Sequence, residues 1–262
     1  MQELIAALAL VLSLATGTVQ GGMDIAQPYG ASYAKTMDIT GFSNHVVETY
    51  YSDLSELRVA CIGDSLTSGV GQGNYPDMMK PMLGTEHIYN CGVGGSSICG
   101  VGHAPMANRY WEIPEDTDVI VVCGGLNDSF EVTEEKFGEV GTINTFCGDV
   151  DRLLKGLQDG YPDAKIFFYI PPPSYEFDSL KAKNPALLTQ ERFRAEILRQ
   201  CKSLGIDVID AYSLNFLNPF DEQVRMSLYR DHTHPNGTGL QLMACFIAAR
   251  IVLWAQETGF SS

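Results

Sequence analysis

Five short apolar runs spaced along the chain constrain its fold more than any other feature: 57–62 (LRVACI), 87–91 (HIYNC), 118–123 (DVIVVC), 165–170 (KIFFYI) and 206–210 (IDVID). Runs of this length that are apolar at nearly every position, instead of alternating with polar residues, read as strands buried on both faces. Helical periodicity fills the later intervals. Phe146, Val150, Leu153, Leu154 and Leu157 recur at the 3.6-residue spacing, as do Phe193, Ile197, Cys201 and Leu204. A last apolar stripe, Leu240, Met243, Ala244, Ile247, Ala248 and Ile251, follows the fifth run. Strands alternating with helices predict an α/β domain whose parallel sheet is covered on both faces. Such sheets take ligands at the carboxyl ends of their strands, so the segments just after each run are where chemistry is expected.

One domain of this class over 57–262 accounts for most of the 262 residues, and two segments of different character precede it. Residues 1–22 contain the apolar run Leu4 to Ala15, too short to span a bilayer and of the length of a secretory h-region. Glu3 precedes that run and the first basic residue is Lys35, so the positive n-region of a signal peptide is missing. A cleaved signal and a helix packed on the domain both stay open; the apolar run tips the expectation toward export or envelope association, with a cytoplasmic location still open. Residues 23–56 form a Gly- and Tyr-containing lead-in. No other stretch reaches 18 apolar residues, which argues against an integral membrane domain.

Charge narrows the partners. Seventeen Lys plus Arg against 32 Asp plus Glu leave a net charge of −15, which repels phosphate backbones, so no nucleic acid partner is expected. The seven cysteines, Cys61, Cys91, Cys99, Cys123, Cys147, Cys201 and Cys245, are odd in number and show neither CxxC nor a His/Cys cluster at ligand spacing. Structural zinc is not expected, and the cysteines on apolar runs read as small buried hydrophobes.

Four segments carry chemistry-bearing residues. The first run leads directly into Gly63-Asp64-Ser65-Leu66, which puts a serine in the turn after a strand. A helix starting near Ser65 would aim free backbone N–H groups at a developing negative charge; a serine there is also a common helix cap. After the second run comes Asn90-Cys91-Gly92-Val93-Gly94-Gly95, a glycine cluster that permits close backbone approach. Gly124-Gly125-Leu126-Asn127-Asp128 follows the third and supplies a side-chain amide. Before the final stripe stands Asp231-His232-Thr233-His234-Pro235, in which a carboxylate three residues before a histidine can hold its Nδ1–H and leave Nε2 as a base.

In this order and spacing the four segments resemble the marker blocks of the SGNH (GDSL) hydrolase family, over residues 57–257. The resemblance implies a three-layer α/β/α sandwich with a five-stranded parallel sheet, the flavodoxin-like SGNH hydrolase fold, and a serine ester hydrolase activity. It makes Ser65 the nucleophile, His234 the general base and acid, and Asp231 the residue that orients His234. The implied oxyanion hole is the backbone N–H of Ser65, the backbone N–H of Gly95 and the side-chain amide of Asn127. Neither a metal nor an organic cofactor is implied. His232, between Asp231 and His234, is set aside because the family spacing selects His234. His45, His87 and His103 have no acid at useful spacing, and Asp64 and Asp128 are expected to brace their turns. The sequons at Asn127 and Asn236 are read as chance, since glycosylation of Asn127 would remove its donor.

The shared residues serve esterases, lipases, lysophospholipases, thioesterases and carbohydrate deacetylases alike, so specificity is sought in loops. Thr67 to Pro76, His103 to Pro114 with Tyr110 and Trp111, and Pro171 to Phe177 with Tyr175 are expected to wall the cleft. The acidic stretch Glu131 to Glu139 reads as an overhanging lid or as a solvated helix face. The expected substrate is a small-molecule or glycan ester carrying a short acyl group such as acetyl. The alternatives are a lysophospholipase- or thioesterase-type lipid acyl hydrolase, an acyltransferase, and a non-catalytic carbohydrate-binding protein on the same fold.

Overall fold

A computed structural model of the protein describes residues 54–69, 71, 73–214 and 217–260. The apolar segment 1–22 and nearly all of the 23–56 lead-in, with the alternatives drawn for them, lie outside the described residues, as does His45.

All five apolar runs form strands, shifted by a residue or two at their ends: β1 Val59–Gly63, β2 Ile88–Gly92, β3 Val119–Cys123, β4 Lys165–Ile170 and β5 Asp207–Asp210. They pair in parallel in the order β2-β1-β3-β4-β5, with Gly63 level with both Gly92 and Cys123. The helices are α1 Ser65–Ser68, α2 Tyr75–Leu83, α3 Leu126–Glu131, α4 Glu134–Phe137, α5 Phe146–Gly160, α6 Glu176–Lys183, α7 Gln190–Leu204, α8 Glu222–Leu228 and α9 Gly237–Thr258.

Successive strand residues point to opposite faces, and here each face has its own core. Val59, Cys61, Val121, Phe167 and Tyr169 pack with α2 and α9, whereas Ala60, Ile62, Ile120, Val122 and Phe168 pack with α5 and α7. This is why β1 and β3 are apolar at consecutive positions, and it yields the expected three layers. Phe168 is fully buried, and its truncation to alanine would cost about 3–5 kcal/mol.

Helix ends follow local chemistry. Asn74 caps α2 by accepting the N–H of Asp77 at 2.8 Å, with Pro76 in the first turn, and Gly84 closes it in the left-handed conformation. Asn236 caps α9 by accepting the N–H of Gly239 at 3.1 Å, so the side chain of this sequon is already engaged.

In α9 the structure corrects the sequence reading. The pattern predicts a stripe, yet Leu242, Cys245, Phe246, Ala249 and Val252 are buried as well. The helix is long and apolar enough to cross a membrane, but 72% of its most apolar window is buried within the fold. A helix apolar on all sides is what a core position demands, and α2 covers much of it.

Candidate active site

The chemistry-bearing segments converge at the carboxyl ends of the strands. β1 ends at Gly63, where a Cβ would lie 2.0 Å from Thr67 Oγ1 and 2.7 Å from the Cys123 carbonyl oxygen; only glycine lets the chain fold back into α1 there. The cap of α1 is Asp64, not the serine: its Oδ1 accepts the N–H of Leu66 at 2.9 Å. Ser65 is therefore the first helical residue, with its hydroxyl free of capping duty and its N–H among those a helix leaves without an internal partner.

The glycine block packs against this turn. A Cβ on Gly92 would meet the Ser68 backbone nitrogen at 2.3 Å, so the end of β2 and the backbone of α1 are in close contact. Asn90 locks that contact, donating from Nδ2 to the Thr67 carbonyl (2.8 Å) while its Oδ1 accepts the N–H of Gly92 (2.9 Å). Gly95 lies in the left-handed region at φ +75° and is exposed. Among the described residues, neither its N–H nor that of Ser65 has an acceptor. Asn127, at the start of α3, donates from Nδ2 to the Ser96 carbonyl at 2.9 Å and makes a longer contact of 3.4 Å with Asp64 Oδ2. The structure thus brings all three donors of the implied oxyanion hole to one edge of the sheet.

Asp64 and Asp128 brace these turns from below. Asp128 accepts the N–H groups of Ile98 and Cys99 at 2.9 and 2.8 Å. Both carboxyls are fully buried, and burial pushes Asp64 up to about 7 and Asp128 up to about 6. Bracing carboxyls that titrate near neutrality are not foreseeable from the motif.

The histidine arrives from the other side of the cleft, on the loop between α8 and α9. A β-bridge between Tyr229 and Pro235 closes that loop, and the Arg230 N–H donates to the His234 carbonyl at 3.0 Å. Within it, Asp231 Oδ1 accepts the N–H groups of Thr233 (2.8 Å) and His234 (2.6 Å), and Oδ2 lies 2.9 Å from His234 Nδ1. Burial raises the Asp231 carboxyl, but those backbone N–H groups and the imidazole outweigh it and hold it below its ordinary value. With Nδ1–H directed at Asp231, Nε2 is left as an acceptor, and it stands 3.0 Å from Ser65 Oγ. His232 turns outward, with Nδ1 3.1 Å from Glu176 Oε2.

The expected walls fare unequally. In the first, Val70 and Gln72 lie outside the described residues. The His103 to Pro114 segment divides. His103 stands at the rim, its Cδ2 3.7 Å from where a Gly95 Cβ would be, but Tyr110 fills the space beside Gly156 in the second half of α5. Tyr161, just before β4, donates its hydroxyl to the Ile113 carbonyl. Tyr110 and the exposed Trp111 therefore run toward the amino ends of the strands and do not wall the cleft. Tyr175 does adjoin the site: its N–H donates to the His232 carbonyl at 2.9 Å, and its ring sits 5.3 Å from that of His232 and 5.4 Å from Phe220, with Arg225 4.1 Å over its face. The Glu131 to Glu139 stretch is a solvated helix face. Arg192 of α7 pairs with Glu134 through both guanidinium nitrogens and stacks on Phe137, which pins the stretch to α7.

A small crevice opens between the ends of β3 and β4 and α7, lined by Gly125, Pro172, Phe193 and Tyr212; neither Ser65 nor His234 lines it. Ser65 and His234 are half-buried instead. Among the described residues no group of three or more His, Cys, Asp or Glu side chains could hold a metal ion. Six of the seven cysteines are buried and Cys91 is half-buried.

One residue of this neighbourhood carries no motif. Arg109 is 6% exposed and reaches under the site to the Gly63, Cys91 and Ala104 carbonyls and the Ser96 hydroxyl. Its sole trace in the sequence is a lone cation between Met106-Ala107 and Tyr110-Trp111, in a segment otherwise suited to burial.

Comparison with known proteins agrees with this architecture. The chain is 28% identical over 223 residues to an acetylxylan esterase of Xylanibacter ruminicola, an alignment covering 74% of this chain and 43% of that protein. It thus spans less than half the length of that relative. A solved structure from Lactobacillus plantarum superposes with a TM-score of 0.63 at 27% identity, covering 77% of this chain and 97% of the other. The crystal structure of the acetyl xylan esterase AlAXEase shares the fold, with a TM-score of 0.53 at 19% identity over 73% of this chain and 98% of that one. A family profile matches residues 61–242, the span that contains both the serine turn and the histidine loop, and by that match the chain belongs to the GDSL-like lipase/acylhydrolase family.

Proposed function

We propose that the protein hydrolyses carboxylic esters through a covalent acyl-enzyme on Ser65, acting on short acyl groups such as acetyl carried by a sugar or another neutral alcohol. One observation carries the reading: an unbroken relay from Ser65 Oγ to His234 Nε2 (3.0 Å) and from His234 Nδ1 to Asp231 Oδ2 (2.9 Å). Serine is a weak nucleophile until an adjacent base takes its proton, and that base must be held in one tautomer.

His234 Nε2 takes the Ser65 proton as Oγ bonds to the ester carbonyl carbon. The oxyanion that forms is met by the N–H groups of Ser65 and Gly95 and the Asn127 amide. As the intermediate collapses, the C–O bond to the alcohol breaks and His234 protonates the leaving oxygen. Water, deprotonated in turn by His234, attacks the acyl carbon; the carboxylic acid leaves and Ser65 recovers its proton. Asp231, held below its ordinary value, stays ionised and stabilises the imidazolium.

The substrate class rests on the exposed aromatics beside the site and on the acetylxylan esterase relative. Ser65 and His234 are half-buried, and Tyr175 and Phe220 beside the histidine loop offer exposed ring surface to an alcohol such as a glycan. The test combines p-nitrophenyl esters from acetate to palmitate with fluorophosphonate labelling read by intact mass. Labelling lost in Ser65→Ala, with acetate the fastest substrate, is the expected result. Palmitate as the preferred ester would overturn the short-acyl reading, and undiminished turnover by Ser65→Ala would overturn the serine mechanism.

A further inference from the structure

We propose that Arg109 is a positioning residue for the ester hydrolysis inferred above: by gripping the nucleophile strand, the second strand and the glycine loop together, it sets where the Ser65 and Gly95 N–H groups converge. The inference rests on that functional reading.

The geometry is specific. Nη2 donates to the Gly63 carbonyl at 2.7 Å, one residue before Asp64, and to Ser96 Oγ at 3.1 Å, one residue after Gly95. Nη1 donates to the Cys91 carbonyl at 2.6 Å, and Nε to the Ala104 carbonyl at 3.1 Å. Ser96 is doubly tied. Its hydroxyl donates to the Ala104 carbonyl at 2.7 Å, and its own carbonyl accepts the Asn127 amide at 2.9 Å. Each of the three oxyanion donors is therefore within two residues or a hydrogen bond of a group that Arg109 holds or that Ser96 links to it. Gly63 ends β1 and Cys91 lies one residue before the end of β2; the Gly63 carbonyl also accepts the Val93 N–H at 3.0 Å, and Arg109 reinforces that last backbone tie between the two segments.

Only a guanidinium can do this. Four acceptors on three chain segments need donors spread over a planar fork, which an ammonium on a flexible stem cannot supply. Nη1 also pairs loosely, at 3.8 Å, with the half-exposed Glu112 carboxylate, so a buried positive charge whose ion-pair partner stands partly in solvent lies under the position where the oxyanion forms. A fixed charge held in a buried position acts on the charged transition state more than on the neutral ester, so its loss is expected in kcat more than in KM.

Arg58 provides the control. It too makes several side-chain bonds, to Asp116 and Asp118, but at the amino ends of β1 and β3, across the sheet from the site. Wild type, Arg109→Gln, Arg109→Lys, Arg58→Lys and Ser65→Ala are compared on p-nitrophenyl acetate, with kcat expressed per site titrated by fluorophosphonate. A boronic acid that forms a tetrahedral adduct on serine serves as transition-state mimic. Expected are a kcat roughly 100-fold lower for Arg109→Gln and at least tenfold lower for Arg109→Lys, KM within threefold, inhibitor affinity falling in parallel with kcat, and partial restoration of Arg109→Gln by methylguanidinium. Arg58→Lys should change only the melting temperature. If Arg109→Gln does not fold, Arg109→Lys decides. Wild-type kcat in Arg109→Lys, or equal kcat losses in Arg58→Lys and Arg109→Lys, would overturn the proposal. An active Ser65→Ala would instead remove the mechanism beneath it, so the two failures are told apart.

Discussion

Asp64 and Asp231 flank the same Ser65–His234 contact, yet their surroundings drive them in opposite directions. Asp64 adjoins the serine on the buried side, is fully inaccessible, and is pushed up to about 7 by burial in spite of the Leu66 N–H it accepts. Asp231 stands on the exposed histidine loop with two backbone N–H groups and an imidazole on its oxygens, and is held below its ordinary value. The nucleophile half of the site is braced from a core, where the buried Asp64 accepts the Leu66 N–H and adjoins the Asn127 amide. The acid–base half is built like a surface loop that supplies its own donors. One residue type thereby yields a turn brace in one place and a permanent anion in the other.

The largest expected effect breaks the exposed half. Asp231→Asn keeps an oxygen for the Thr233 and His234 N–H groups but removes the charge that fixes the imidazole, so kcat should fall about 10⁴-fold with the melting temperature little changed. Steady-state kinetics on an acetate ester checks it; a loss under tenfold would mean that Asp231 does not orient the base.

The next effect separates the two carboxyls by linkage. Because the folded value of Asp64 lies above its unfolded value of 3.8, the native state binds the proton more tightly. The contribution of Asp64 to stability is therefore greatest below pH 3.8, declines as the pH rises to about 7, and levels off beyond. The decline is about 4 kcal/mol, at 1.36 kcal/mol for each pH unit. Asp231 has the opposite sign: its contribution is present above pH 3.8 and is lost as the pH falls below. Urea midpoints of wild type and Asp64→Asn between pH 4 and 8 should show the variant flatter. Parallel curves would contradict the burial argument.

Smaller again is the loss of a single donor from the buried half. Asn127→Ala should lower kcat by about 10²–10³, or roughly 3–4 kcal/mol of transition-state stabilisation. Because the amide also holds the Ser96 carbonyl, a fall in melting temperature should accompany it. Kinetics and calorimetry on one preparation measure both. Smallest of all, His232→Gln should leave kcat within threefold, since that ring faces Glu176 and solvent; a tenfold loss would exchange the roles assigned to the two histidines.

Much of this was legible in sequence because it is local. The five runs became the five strands because a strand buried on both faces can carry little but apolar residues, as β1 and β3 do. Ser65, Gly95, Asn127, Asp231 and His234 could be named because the four short segments that hold them, each just past a strand or before a helix, resemble the family's marker blocks. Loops were harder. Tyr110 and Tyr175 look alike in sequence, as aromatics in loops that follow strands, but one fills the gap left by Gly156 and the other adjoins His232.

The sequence by itself determined the periodicities, the apolar runs and the short spacings within each motif, and with them the layered fold, the candidate residues and the family. Only the tertiary structure decided what depends on distant segments meeting. It made Asp64 rather than Ser65 the cap of α1, enclosed α9 on nearly every side, set the opposite titration of two aspartates, and placed Arg109 where three segments converge. The physical reason is common to all four. Burial and long-range hydrogen bonding belong to the assembled environment, and a residue's neighbours in sequence carry little record of its neighbours in space.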